Sequence, residues 1–160
     1  MGQQSWTDPQ FDSWLAFMTS RIAVDCFHHY VVGVNQRNSD GTARQEILKT
    51  CRPRQLLWLV REPGNRHDRN AVKVTTLEGE QLGYLDRQLG QKVAKQLLAG
   101  DTIWAFVRSV LEDEGTSNYG IVIVLMQLKP AIVEEIRAQQ TESTETPVVQ
   151  WMRALGEFFA

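Results

Sequence analysis

One stretch of this chain, residues 56–74, constrains the fold most, because it reads as a strand, a polar loop and a second strand. Residues 56–60 form a short apolar run without a polar break, which is typical of a buried strand. Pro63 has no backbone N–H and Gly64 tolerates positive φ, so both residues end the pairing of that strand. Residues 71–75 bring back β-branched side chains and predict the second strand.

The loop between these strands is unusually rich in polar side chains. Six of its eight residues between 61 and 68 are polar or charged: Arg61, Glu62, Asn65, Arg66, His67 and Asp68. A surface turn needs one or two such groups to satisfy its own backbone. The excess indicates a functional site, and a purely structural loop is the alternative interpretation.

The overall composition fits one domain with appendages. The chain has 160 residues, of which 42% are hydrophobic, enough for a single core. The sequence contains no apolar run long enough to span a membrane, and we expect no signal peptide, no membrane partner and a cytoplasmic location. Cys26 and Cys51 are therefore expected to be free thiols in a reducing compartment.

Charge is distributed unevenly along the chain. Residues 36–73 carry nine Lys or Arg and four acidic residues, a net charge of +5, so the rest of the chain carries −7. A basic segment in an acidic chain indicates an anionic partner that contacts one patch. The alternative is that these charges are scattered over the folded surface.

The other elements follow from periodicity and from capping signals. Asp8 and Pro9 predict the start of an amphipathic helix over residues 9–23, and Asp86 predicts the start of another that Gly100 ends. Strands are expected at 27–34, 81–85, 102–111 and 119–128, and helices at 43–51, 131–140 and 148–159, with a polar linker at 141–147. In the 102–111 strand, Ile103, Ala105 and Val107 should face one side, and Trp104, Phe106 and Arg108 the other. Six short strands with attached helices favour a mainly β fold, a small curled barrel or sandwich.

With the strands placed, the chain resembles the HIRAN domain family, which occurs in SWI/SNF-type remodellers and as small bacterial proteins. The resemblance is carried by residues 30–34, by the long motif 57–74 and by residues 82–85. It implies a small OB- or SH3-like six-stranded β-barrel with N- and C-terminal α-helices. The barrel domain is expected at 28–129, with helical extensions at 1–27 and 130–160.

The resemblance also implies a function: binding of single-stranded DNA, in the best-known case at its 3′ end, as a non-catalytic module of DNA repair or processing. Asp68 matches the acidic residue that engages the terminal 3′-hydroxyl. Asn65 matches a polar pocket residue, and His67 stands where an aromatic residue meets the terminal nucleotide. Tyr84 matches a DNA contact, Arg87 a backbone contact, and Tyr119 lies near a stacking aromatic.

Two positions depart from the family pattern. The best-known example has a basic residue and an aromatic residue after the first strand, where this chain has Asn35 and Gln36, with Arg37 next. The chemistry of phosphate neutralisation makes Arg37, Arg66, Arg69, Lys73 and Arg87 the candidate cations. These departures favour an alternative in which the barrel has lost its affinity for DNA and serves as a protein-interaction module.

Three alternatives stay open. The chain can be a protein-interaction scaffold or a homodimer, assembled through its N- and C-terminal helices. A metal site from Cys26, His28, His29, Cys51 and His67 is disfavoured because the spacing matches no zinc signature. A metal-dependent nuclease using Glu62, His67 and Asp68 lacks any nucleophile or phosphate-loop motif. We therefore expect no enzyme activity and no cofactor.

Overall fold

The computed structural model describes residues 8–113 and 115–139. The elements in this part of the chain are α1 (Pro9–Ile22), β1 (Ala23–Tyr30), α2 (Arg44–Leu48), β2 (Leu56–Arg61), β3 (Val72–Thr76), β4 (Gln81–Tyr84), α3 (Arg87–Leu98), β5 (Ile103–Glu112), β6 (Tyr119–Leu128) and α4 (Pro130–Gln139). The predicted linker 141–147 and apolar helix 148–159 lie outside the described residues. None of the helices found in residues 8–113 and 115–139 is long and apolar enough to cross a membrane.

The six strands form one antiparallel sheet in the order β1-β6-β5-β2-β3-β4. Just after β1, Val32 exchanges two backbone hydrogen bonds with Tyr84 of β4, at 2.8 and 2.9 Å. This pair brings the two outer strands of the sheet together, so the sheet is strongly curled. The prediction of a mainly β, six-stranded fold is confirmed, whereas its assignment to the OB or SH3 type stays a prediction.

The curled sheet separates two hydrophobic clusters. Strand β5 shows why, because its side chains alternate as expected: Ile103, Ala105 and Val107 enter the inner cluster, and Trp104 and Phe106 the outer one. The inner cluster also contains residues of α2 and α3, and the outer cluster contains residues of α1 and α4. The sheet is therefore covered on both faces.

Helix α1 begins as the sequence predicts. The Asp8 side chain caps it by accepting hydrogen bonds from the backbone N–H groups of Gln10 and Phe11 at 3.0 and 3.3 Å. Its apolar face is buried in the outer cluster through Phe11, Trp14, Met18 and Ile22. The aromatic face of α1 is therefore core of this chain.

The first strand is displaced from its predicted position. It spans Ala23–Tyr30 rather than residues 27–34, and it follows α1 directly. Gly33 has a φ of 73°, a conformation that an extended strand does not adopt, so the chain turns there. The register is irregular between Ala23 and Asp25. This irregularity breaks the alternation of side chains, so the sequence pattern did not show where the strand begins.

Candidate functional site

The loop between β2 and β3 is held by its own side chains. The Asn65 Oδ1 atom accepts hydrogen bonds from the backbone N–H groups of His67 and Asp68, at 2.9 and 3.1 Å. The Asp68 Oδ1 atom accepts one from the N–H of Asn70 at 2.9 Å. Asx-type bonds of this kind fix a loop without regular secondary structure. The polar residues that suggested a site thus also build the loop that presents it.

Asp68 uses only part of its carboxylate for this structural purpose. Its Oδ2 atom makes no hydrogen bond or ion pair within residues 8–113 and 115–139. The carboxylate is partly exposed and lines a cleft. One carboxylate oxygen of Asp68 therefore stabilises the loop, and the other is available to accept a hydrogen bond from a ligand.

Tyr84, at the end of β4, is fixed by Glu62. Its hydroxyl donates to Glu62 Oε1 at 2.6 Å, and the same oxygen accepts a hydrogen bond from Asn65 Nδ2 at 3.2 Å. Burial, together with the hydrogen bond to Glu62, raises the pKa of the Tyr84 phenol above its usual value. Tyr84 is therefore a neutral, oriented ring beside the loop.

Two clefts flank this ring. Half of the predicted site residues line a cleft of about 470 Å³, called here the main cleft: Gln36, Asn65, His67, Asp68, Tyr84 and Arg87. A second cleft of about 480 Å³ lies on the Glu62 side and shares Asn65, His67 and Tyr84 with the first. Arg87 reaches the main cleft because α3 starts immediately after β4 and the Asp86 cap, whose Oδ1 accepts from Leu89 N–H at 2.8 Å.

The other predicted residues are placed elsewhere. Arg66 lines the second cleft, and Asn35, Arg37, Arg69, Lys73 and Tyr119 line neither cleft. Arg37 Nη1 donates to the Gly41 carbonyl at 2.8 Å, and Lys73 Nζ lies 3.8 Å from Glu62 Oε2. Asn35 and Tyr119 both bond to Gln45, which accepts from Tyr119 N–H at 2.6 Å. The structure thus brings six of the twelve predicted residues to one cleft.

The sequence reasoning missed Arg44. This arginine of α2 is only 5% exposed and lines the main cleft, with its guanidinium carbon 5.5 Å from the centroid of the Tyr84 ring. It belongs to the basic segment, but nothing in its local sequence separates it from the other cations there. What distinguishes Arg44 is its burial, which is rare for arginine. Burial becomes visible only once the fold is known.

The basic segment does not gather at one cleft. Of its nine cations, Arg44 lines the main cleft and Arg66 the second, while Lys73 lines a smaller cleft of about 170 Å³. Arg54 lies over the Trp14 ring at 5.7 Å, on the outer face of the sheet. The expected single patch is therefore reduced to a few cations near the loop, joined by Arg87 from outside the segment.

Cys26 and Cys51 are free thiols in the described part of the chain, as predicted. Burial raises the pKa of Cys51 to about 11. Among residues 8–113 and 115–139, no three His, Cys, Asp or Glu side chains cluster closely enough to hold a metal ion.

The chain combines a curled antiparallel sheet with a polar loop between β2 and β3 that lies beside a cleft. The family model of the HIRAN domain matches residues 26–125, which is more than half of the chain. The chain therefore belongs to the HIRAN domain family. The resemblance seen in the sequence is confirmed.

Three comparisons with solved structures accompany the family match. A crystal structure of a protein from Lactobacillus plantarum is 26% identical, with a TM-score of 0.49, covering 66% of this chain and 95% of that one. The crystal structure of the HIRAN domain of human HLTF is 19% identical, with a TM-score of 0.50, covering 69% of this chain and 81% of that one. The NMR structure of the same human domain is 19% identical, with a TM-score of 0.47, covering 71% and 87%. The search of curated proteins gives no match.

Proposed function

We propose that this chain is a non-catalytic module that binds single-stranded DNA and holds its 3′ end in the main cleft. The observation that carries the proposal is the grouping of a carboxylate, a fixed aromatic ring and two cations in that one cleft, through Asp68, Tyr84, Arg44 and Arg87. Membership of the HIRAN family supports it, because the family resemblance implies DNA binding.

Each part of a DNA end has a matching group in the cleft. Arg87 and Arg44 supply positive charge for phosphates, and Tyr84 and His67 supply rings on which a base can stack. Asp68 Oδ2 accepts a hydrogen bond from a free 3′-hydroxyl but repels a 3′-phosphate. A free 3′-hydroxyl marks a broken or processed strand, so we place this activity in DNA repair or processing.

The departure at Gln36 limits the affinity rather than the location of binding. Gln36 lines the main cleft with an amide where the family pattern has an aromatic ring. Base–aromatic stacking contributes about 1–3 kcal/mol per base, so one missing ring lowers affinity by about tenfold to a hundredfold. The module is therefore expected to bind DNA ends more weakly than relatives with both rings.

The test is fluorescence anisotropy with matched oligonucleotides that end in a 3′-hydroxyl or a 3′-phosphate. The wild-type chain should prefer the 3′-hydroxyl. Asp68→Asn keeps an oxygen for the Asn70 N–H, so the loop is retained, but it removes the charge that rejects phosphate. This variant should bind the two oligonucleotides about equally.

Asp40→Asn is the matched control. Asp40 Oδ1 accepts from the Thr42 N–H at 2.9 Å, the same i+2 arrangement as in Asp68, but it lies outside both clefts beside Tyr84. Both variants change the net charge equally, so only Asp68→Asn should lose end preference. Absence of binding at low salt, or an end preference that survives in Asp68→Asn, would contradict the proposal.

Assembly through the terminal helices is the second candidate. The apolar face of α1 is already buried within this chain, so residues 148–159 are the segment proposed to contact another copy or a protein partner. Sedimentation of the full chain and of a chain ending at Gln140 tests this proposal. The truncation spares α4, whose Ile136 is buried in the outer cluster. A full chain that sediments as a monomer would argue against self-assembly.

A further inference from the structure

Arg44 is a buried cation without a counter-ion. Its Nε atom donates to Asn38 Oδ1 and its Nη1 atom to the Gly33 carbonyl, both at 2.8 Å, and both acceptors are neutral. Among residues 8–113 and 115–139, no carboxylate forms an ion pair with it. Burying an unpaired charge costs free energy, so a bound anionic ligand would stabilise the Arg44 guanidinium.

Arg44 lines the main cleft, and its Nη2 atom makes no hydrogen bond within the described residues. The two bonded nitrogens fix the plane of the group, and the Tyr84 ring lies 5.5 Å from its centre. A planar, oriented guanidinium with free N–H donors matches the geometry of a phosphate oxygen pair.

The backbone around Gly33 contributes to this arrangement. Gly33 adopts a φ of 73°, and a Cβ atom built at this position would lie 3.2 Å from Arg44 Nη1. The absence of a side chain lets the Gly33 carbonyl and the guanidinium approach closely. The cation is thus preorganised by the turn at Gly33, which follows β1.

We infer that Arg44 binds the phosphate on the 5′ side of the terminal nucleotide, while Asp68 in the same cleft accepts its 3′-hydroxyl. This inference rests on the proposed function and specifies which phosphate Arg44 binds, since the cation and the carboxylate recognise opposite sides of one nucleotide. The main cleft, at about 470 Å³, is within the usual size range of small-molecule sites. An acidic peptide fits less well, because Asp68 would repel it and Tyr84 offers a ring for a base.

The experiment uses the full chain and 3′-hydroxyl oligonucleotides in which one phosphodiester is replaced by a neutral methylphosphonate. Replacement of the linkage nearest the 3′ end should weaken binding to the wild-type chain by about tenfold to a hundredfold, since a hydrogen bond to a charged group contributes about 1.5–3 kcal/mol. Replacement of the linkage nearest the 5′ end removes the same charge and should change affinity little.

Variants assign the effect to Arg44. Arg44→Gln should weaken binding of the unmodified strand by a similar factor and show no further loss with the 3′-proximal methylphosphonate. Arg54→Gln is the matched control, because Arg54 is also a cation of the basic segment but lies over Trp14 at 5.7 Å, away from the cleft. Arg54→Gln should keep the full methylphosphonate penalty.

Each outcome decides a different claim. If the wild-type chain binds single-stranded DNA but both modified strands bind alike, the role of Arg44 is contradicted while the proposed function stands. A penalty that persists in folded Arg44→Gln also contradicts the inference. If the wild-type chain binds no DNA at low salt, both the inference and the proposed function fail. Because the two modified strands are compared on the wild-type chain, equal binding of both strands overturns the inference even if Arg44→Gln does not fold.

Discussion

At the residue scale, the side chains of the loop hold its backbone in place through hydrogen bonds within the chain. Asn65 is the clearest case, since its Oδ1 atom serves the N–H groups of His67 and Asp68 and its Nδ2 atom serves Glu62. The presentation of Asp68 and His67 at the cleft depends on this one amide.

We therefore expect Asn65→Ala to lower both stability and affinity for DNA. The loss of its acceptor leaves two loop N–H groups without a partner, which should lower the free energy of unfolding by about 1–2 kcal/mol. Urea unfolding and anisotropy measure the two effects. Asn118→Ala is the control, because Asn118 is exposed and its side chain makes no hydrogen bond in the described chain. Equal behaviour of the two variants would contradict the role given to Asn65.

Cys51 gives a prediction about pH. It is 2% exposed, and burial raises its pKa from the ordinary value of 9.0 to about 11. The folded chain therefore keeps the thiol proton where the unfolded chain has released it, so the free energy of unfolding falls as pH rises above about 9. The loss attributable to Cys51 should reach about 1.4 kcal/mol near pH 10.

Urea unfolding at about pH 8 and about pH 10 measures this loss, and Cys51→Ala should remove it. Val93→Ala also truncates a fully buried residue of the inner cluster but has no titrating group, so it should keep the wild-type pH dependence. A Cys51→Ala variant with an unchanged pH dependence would contradict the assignment.

Local patterns predicted the loop but not Arg44. The loop residues lie within eight positions, so their polar density is visible in the sequence. Arg44 becomes exceptional only because the fold buries it against Gly33 and Tyr84, which are distant in sequence. Burial of a single cation depends on tertiary packing, which periodicity does not report.

At the element scale, the cleft depends on the close approach of β4 to the chain just after β1. A Cβ atom at Gly83 would collide with the Val32 carbonyl oxygen and would lie 2.8 Å from Val31 Cγ1. The Val32–Tyr84 backbone pair sits beside this contact and positions the Tyr84 ring. Only glycine allows that approach.

We expect Gly83→Ala to push Val32 away and to lower the free energy of unfolding by about 1–3 kcal/mol, a typical effect of overpacking. DNA affinity should fall as well, because Tyr84 loses its backbone support. Gly120→Ala in β6 is the control, since a Cβ atom there meets nothing within 4 Å and φ is not in the strained region. Urea unfolding of both variants makes the comparison, and a fully stable Gly83→Ala would contradict this account of the sheet.

Element types were easier to predict than the exact ends of elements. The alternation in β5 and the caps of α1 and α3 were correct because they reflect local chemistry at Asp8, Asp86 and Gly100. The limits of β1 were wrong because its irregular start and the turn at Gly33 depend on pairing with other strands. The chain pairs with β6 along β1 and with Tyr84 at Val32, and local sequence patterns do not show this change of partner.

At the scale of the whole molecule, charge predicts a modest electrostatic contribution to binding. The chain carries −2 overall, and the structure spreads the cations of its basic segment. With Arg44 and Arg87 contacting phosphates, log affinity should fall with log salt at a slope of about −1.4, since each contact on a single strand contributes about −0.7.

A salt series with a 3′-hydroxyl oligonucleotide measures this slope. Arg87→Gln should make it shallower by about 0.7, whereas Arg37→Gln should leave it unchanged, because Arg37 lines neither cleft. A wild-type slope of about −5 would instead indicate contact with a broad cationic patch.

An NMR titration of the full chain tests the claim that the cleft beside Tyr84 holds the DNA. With a short 3′-hydroxyl oligonucleotide, we expect the largest amide shifts on residues 65–70, on Tyr84 and at the start of α3. Trp58 and Val60, exposed side chains of β2 that line neither cleft, should shift little. Shifts concentrated on Trp58 and Val60, or no shifts in the loop, would contradict the claim.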